Sequence, residues 1–114
     1  MTQNKNKLIE LFTGNIANAV VHSILEKSLP MPELIGKYRH ESMISFEIAK
    51  RYREKINPAD NILPAIDAEK IKDKIIRKVK SELGIRISKG YKDIKLELVE
   101  EETIKLLKEA NILE

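Results

Sequence analysis

At 114 residues the chain is the size of one domain, and its 42% hydrophobic and 34% charged residues argue for a single packed core and against global disorder. Cysteine is absent, which removes disulfides, thiolate nucleophiles and cysteine-based zinc sites. The net charge of +3 is unevenly placed, with residues 1–56 summing to +3, 57–92 to +4 and 93–114 to −4.

The opening Met1-Thr-Gln-Asn-Lys-Asn-Lys7 is polar and lacks the apolar block of a secretory signal. No apolar run approaches the roughly 18 residues of a membrane span. The reading is a cytoplasmic protein with no membrane partner, a flexible arm over 1–7 and one domain over 8–114.

From Leu8 the apolar spacing is helical, through Leu11, Phe12, Ile16, Ala19, Val20, Ile24 and Leu25 to about Leu29. Thr13-Gly14-Asn15 interrupts the pattern and predicts a kink or a fresh start there. The polar face of this helix carries Asn18, His22 and Glu26 at four-residue spacing.

Pro30-Met31-Pro32 is a stiff connector. A second helix is predicted from about Glu33 to Lys55, with Leu34, Tyr38, Ser45, Ala49, Tyr52 and Ile56 on one stripe. Met43 and Ile44 lie off that stripe, so the helix is expected to touch several neighbours, or to bend near residues 40–42, and to be the central one. Tyr38 and Tyr52, 14 residues apart, share a face and are expected to pack with their hydroxyls at its edge. Asn57-Pro58 then begins a short helix-like turn to Leu63, stopped by Pro64.

Between Ala68 and Leu83 the apolar positions Ile71, Ile75, Ile76, Val79 and Leu83 fall on one face, while Lys70, Lys74, Arg77 and Lys78 gather opposite. Asp67 reads as the N-cap and Gly84 as the C-terminal cap. After Gly84, Ile85 and Ile87 alternate with polar residues. A Gly-containing connection over 89–93 follows, and Ile94, Leu96 and Leu98 alternate again. This predicts an antiparallel β-hairpin over about 85–99. Glu100 to Ala110 is a final helix with three acids in its first turn and lysines toward its end, as the helix dipole favours. The expected fold is mainly α, three to five helices with one hairpin before the C-terminal helix.

A short helix, a turn, a basic helix and a hairpin follow the order of a winged helix-turn-helix. In that reading Lys70, Lys74, Arg77 and Lys78 contact phosphate, and Lys89, Tyr91 and Lys92 sit at the wing tip. Asp73 interrupts the basic face, and side chains suited to base edges are nearly missing from it, so contact is expected with DNA or RNA backbone more than with sequence. A competing expectation is a self-associating helical adaptor or protein-interaction module, in which the segregated lysines and glutamates set register within a homodimer or against a protein partner.

His22 with Glu26, or His40 with Glu41 or Glu47, could contribute metal ligands, but no ligand pair has a recognised spacing, and no metal or cofactor is expected. The four glycines are scattered and form no phosphate loop, and no nucleophile elbow is present. The reading is therefore a small binding protein without catalytic residues.

Overall fold

The first helix, α1 (Lys5–Ser28), is the axis on which the rest of the molecule is assembled. The structure is a computed structural model that describes residues 4–29, 31–56 and 63–113. Among these residues three further helices, α2 (Pro32–Ile56), α3 (Ala65–Ser88) and α4 (Val99–Glu109), each pack on α1, and a 3₁₀ turn at Leu96–Leu98 leads into α4. The short helix expected after Asn57 lies outside the described residues.

The sequence of α1 explains its place. Phe12, Ile16, Ala19, Val20, Ile24 and Leu25 are completely buried, and they spread over most of the circumference rather than along one narrow stripe. A helix apolar over so wide an arc must be enclosed, here by α2, α3 and α4. By length and composition α1 could also cross a membrane, but 56% of its most apolar window is buried inside the protein, as in a core helix. The interruption expected at residues 13–15 does not occur. Gly14 costs the helix about 1 kcal/mol, while burial of Phe12 and Ile16 on either side contributes about 1.5–3 kcal/mol each. Asn15 donates its side-chain N–H back to the Leu11 carbonyl at 2.9 Å and stays within the helix.

The second helix is not the central one. Of its residues only Ser45, Ala49, Arg53 and Ile56 are buried, and Met43 and Ile44 are 61% and 46% exposed. Its stripe is narrow, so it lies antiparallel on α1 and on no other helix to a comparable extent. At the other end of the chain, Asn4 caps α1, its Oδ1 accepting from the Lys7 N–H at 2.8 Å, so residues 5–7 of the expected arm are helical.

The expected β-hairpin is absent: there is no strand among the described residues. Helix α3 runs through Gly84 to Ser88, past the end of its buried stripe of Ile71, Ile75, Val79 and Leu83, because a glycine inside a helix costs only about 1 kcal/mol and the backbone finds its cap further on. The glycine that stops it is Gly90, at φ +104°, where the Gly90 N–H bonds to the Ile87 carbonyl and the Tyr91 N–H to that of Arg86. This is a Schellman cap, which needs a left-handed residue at that position. With 85–88 helical, residues 94–98 have no strand to pair with. They satisfy their backbone locally and through Ser28, whose Oγ accepts from the Lys95 N–H at 3.0 Å. Helix α4 ends in the same motif, with Asn111 at φ 60° as its left-handed residue. Arg53 reaches from α2 to the Asn111 carbonyl at 3.0 Å and ties that end to the hairpin of helices.

Candidate nucleic-acid interface

Helix α3, 24 residues and about 36 Å long, has one face in the core and one in solvent. Lys70, Lys74, Arg77 and Lys78 are all exposed, on the side opposite the buried Ile71, Ile75, Val79 and Leu83. They span about 12 Å of the helix axis. Among the described residues no carboxylate pairs with any of the four. Arg77 bonds only weakly to its own helix, Nε lying 3.5 Å from the Asp73 carbonyl. Lys74, Arg77 and Lys78 line a shallow hollow of about 300 Å³ with Ser81.

Two neighbours of this stripe were not legible in the α3 sequence. Because α3 runs alongside α1 in the same direction, Lys70 shares a cleft with Lys5 and Asn6 of the first turn of α1. Farther along, Lys78, Ser81 and Glu82 face Gly14, Ala17, Asn18 and Val21 across a cleft of about 350 Å³.

The acids of α4 do not cover the basic face. Glu102 is buried and points to α1, where Lys27 pairs with it and the Ser23 hydroxyl donates to it at 3.2 Å. Glu100 lies near Lys72, on the flank of α3. The Lys72 ammonium is held above its usual range first by a hydrogen bond to Glu69, at 2.8 Å, with smaller help from the Glu69, Asp73 and Glu100 charges. Lys72 is thus a neutralised flank, and the four outer cations have no ion-pair partner among the described residues, although Asp73 is exposed among them and Asp67 lines the cleft of Lys70 and Lys5.

Without the hairpin, the residues expected at a wing tip fall elsewhere. Lys89 and Lys92 are exposed on the loop that follows α3, beyond its C-terminus and eleven or more residues past Lys78. Tyr91 is 38% exposed on the same loop. Burial first, and then the proximity of Tyr91, push the Tyr38 hydroxyl of α2 above its usual range. The Tyr38 ring in turn lies beside His22, with centroids 5.9 Å apart. Tyr38 and Tyr52 are half-buried on the α2 stripe.

The polar face of α1 has a structural partner. Asn18 donates to the Ser45 hydroxyl at 2.6 Å, His22 Nε2 lies 2.7 Å from the Glu41 carboxylate, and Arg39 binds Glu26 at 2.7 Å. These three rungs run antiparallel along α1 and α2. The other His22 nitrogen, Nδ1, is 2.8 Å from the Asn18 carbonyl, so the ring is occupied on both sides. Among the described residues no three acidic, histidine or cysteine side chains converge as a metal site would require. No protein-family model, no curated protein and no solved structure matches this chain.

Proposed function

We propose that this protein is a small binding protein, without catalysis, that holds nucleic-acid backbone against the outer face of α3. The observation that carries the reading is the stripe Lys70, Lys74, Arg77 and Lys78: four cations on one rigid helix, with no acid of α4 turned toward them. About 12 Å of duplex axis carries on the order of seven phosphate charges. The stripe has no aromatic residue on which an unpaired base could stack, and no Asn or Gln to read a base edge, so it favours duplex backbone without sequence preference. Lys5 extends the cationic surface at one end. Lys89, at the far end of α3, is the closer of the two loop lysines in sequence and is assigned a flanking contact; Tyr91 is assigned none. A cytoplasmic location is consistent with α1 spending its apolar surface on the core.

The test is binding of duplex DNA and duplex RNA across a salt series. The four stripe contacts together with Lys5 and Lys89 predict a slope of log K against log salt of about −5, and Lys74→Ala with Arg77→Ala and Lys78→Ala should reduce it to about −3. Failure to bind either duplex at low salt, or a slope that the triple variant leaves unchanged, overturns the reading.

A further inference from the structure

Two cavities on the flank of α3 meet at the same pair of residues. Lys78 and Ser81 line both the hollow of Lys74 and Arg77 on the outer face and the cleft of about 350 Å³ between α3 and α1. The two differ in chemistry. In the hollow every polar side chain can donate a hydrogen bond, three of them as cations, and no carboxylate lines it. The cleft is floored by Gly14, Ala17 and Val21, small side chains within two turns of α1, with the Asn18 amide beside them and the Glu82 carboxylate on the α3 wall. Nothing stands within 4 Å of the place that a Cβ on Gly14 would take, so the floor is open there. Asn18 gives one N–H to Ser45 at 2.6 Å, and its other N–H and its Oδ1 have no protein partner among the described residues.

A molecule that fills both cavities has a concentrated anion at one end and a flat, uncharged, hydrogen-bonding body at the other, with hydroxyl groups toward Glu82. We propose that the joined cavities are a binding site for a nucleoside monophosphate. Charge fixes the orientation. Glu82 repels a phosphate, so the phosphate takes the hollow, and the carboxylate, which can only accept, takes the ribose hydroxyls. The base lies over Gly14, Ala17 and Val21, where small side chains let a ring approach the helix, and Asn18 offers its edge a donor and an acceptor. A phosphomonoester carries about −1.5 to −2 charge at neutral pH, so three cations around one hollow match it better than they match the single charge of an internal phosphodiester. The same chemistry has two sources: a free nucleotide, or the phosphorylated terminal nucleotide of a strand. The site shares Lys74, Arg77 and Lys78 with the backbone surface but does not rest on duplex binding, because the cleft on α1 belongs to it alone.

Calorimetric titration with each of the four ribonucleoside 5′-monophosphates tests the proposal, with the nucleosides and inorganic phosphate as the two halves of the ligand. At least one monophosphate should bind about tenfold or more tightly than its nucleoside and than inorganic phosphate. Glu82→Ala should erase a preference for that nucleotide over its 2′-deoxy form. Gly14→Leu places a side chain in the cleft and a better helix former in α1, so the circular dichroism spectrum should be unchanged. It should weaken nucleotide binding about tenfold or more and leave the binding of inorganic phosphate and of duplex as it was. A single strand with a 5′-phosphate, compared with the same strand ending in a hydroxyl, separates the sources: tighter binding of the first assigns the terminal nucleotide, and equal binding assigns the free one. If none of the four monophosphates binds, or if they bind no better than inorganic phosphate, the proposal is overturned while the duplex reading stands. Nucleotide binding that folded Gly14→Leu leaves intact overturns it as well. Nucleotide binding without duplex binding supports it and overturns the duplex reading alone.

Discussion

Glu102 of α4 is bound by Lys27 of α1 across 75 residues of sequence, and this contact decides which way the acidic helix faces. The two partners are unequally placed: the Glu102 side chain is 5% exposed and that of Lys27 42%. Removing the carboxylate leaves an ammonium that water can reach, while removing the ammonium leaves a buried carboxylate with the Ser23 hydroxyl as its remaining donor. Lys27→Met should therefore destabilise the fold by about 2–3 kcal/mol and Glu102→Gln by about 1 kcal/mol. Urea unfolding of both variants measures the asymmetry, and equal losses would mean that the pair is solvated.

The end of α3 gives a second prediction, from two glycines six residues apart. Gly84 lies inside the helix, is exposed, and has open space where a Cβ would stand. Gly84→Ala should stabilise the protein by about 1 kcal/mol. Gly90, at φ +104°, should instead lose about 1 kcal/mol as alanine, because a side chain disfavours that backbone region. Both are read by thermal unfolding, and the opposite pair of signs would favour a helix ending at Gly84.

These glycines also show how far the chain could be read before its structure was known. The buried stripe of α3 and the cations opposite it follow from spacing alone, since a 3.6-residue period over some twenty positions admits one interpretation. Ile85 and Ile87 do not, because two residues two positions apart share a face only in a strand and are too few to show that the helical period continues. Both glycines can end a helix, and only the tertiary fate of residues 85–88 selects between them. The direction in which the α4 acids face was illegible for a similar reason: Glu100, Glu101 and Glu102 are adjacent in sequence, but one is buried on α1 and two are exposed. The central place of α1 was in reach, as its apolar residues already outnumbered those of one face.

The ladder between α1 and α2 holds one pair that is more buried than the other. The His22 and Glu41 side chains are 11% and 37% exposed, whereas those of Arg39 and Glu26 are 64% and 18% exposed. Double-mutant cycles to alanine should give a coupling of about 1 kcal/mol or more for His22 with Glu41, and about 0.5 kcal/mol or less for Glu26 with Arg39. Added salt should diminish the second coupling far more than the first.

Thr13 carries the one buried side-chain polar atom without a partner among the described residues, its Oγ1 being enclosed with no acceptor or donor in reach. Thr13→Val replaces that hydroxyl with a methyl group of nearly the same size and should raise stability by about 1 kcal/mol. Thr13→Ala removes the orphan but also the γ-methyl, and the space left should cancel most of the gain. Unfolding midpoints of the two variants, ranked Val above Ala, would establish the hydroxyl as the cost.

The raised Tyr38 hydroxyl makes alkaline stability measurable. Tyr38 is raised above its ordinary value chiefly by burial and next by the Tyr91 hydroxyl, with Arg86 opposing. A tyrosine raised in the folded state holds its proton more tightly there than in the unfolded chain. Its contribution to stability is whole below about pH 10 and is lost as pH climbs through the folded-state value. Of the three tyrosines, one should therefore ionise late in an ultraviolet absorbance titration, and unfolding should become easier in the same pH range. Tyr91→Phe removes the neighbouring hydroxyl and leaves the burial, so it should bring the late titration partway back toward the ordinary range while α3 stays helical. If the late tyrosine is unmoved by Tyr91→Phe and abolished by Tyr52→Phe, the raised group is on the other end of α2 and Tyr91 does not act on Tyr38.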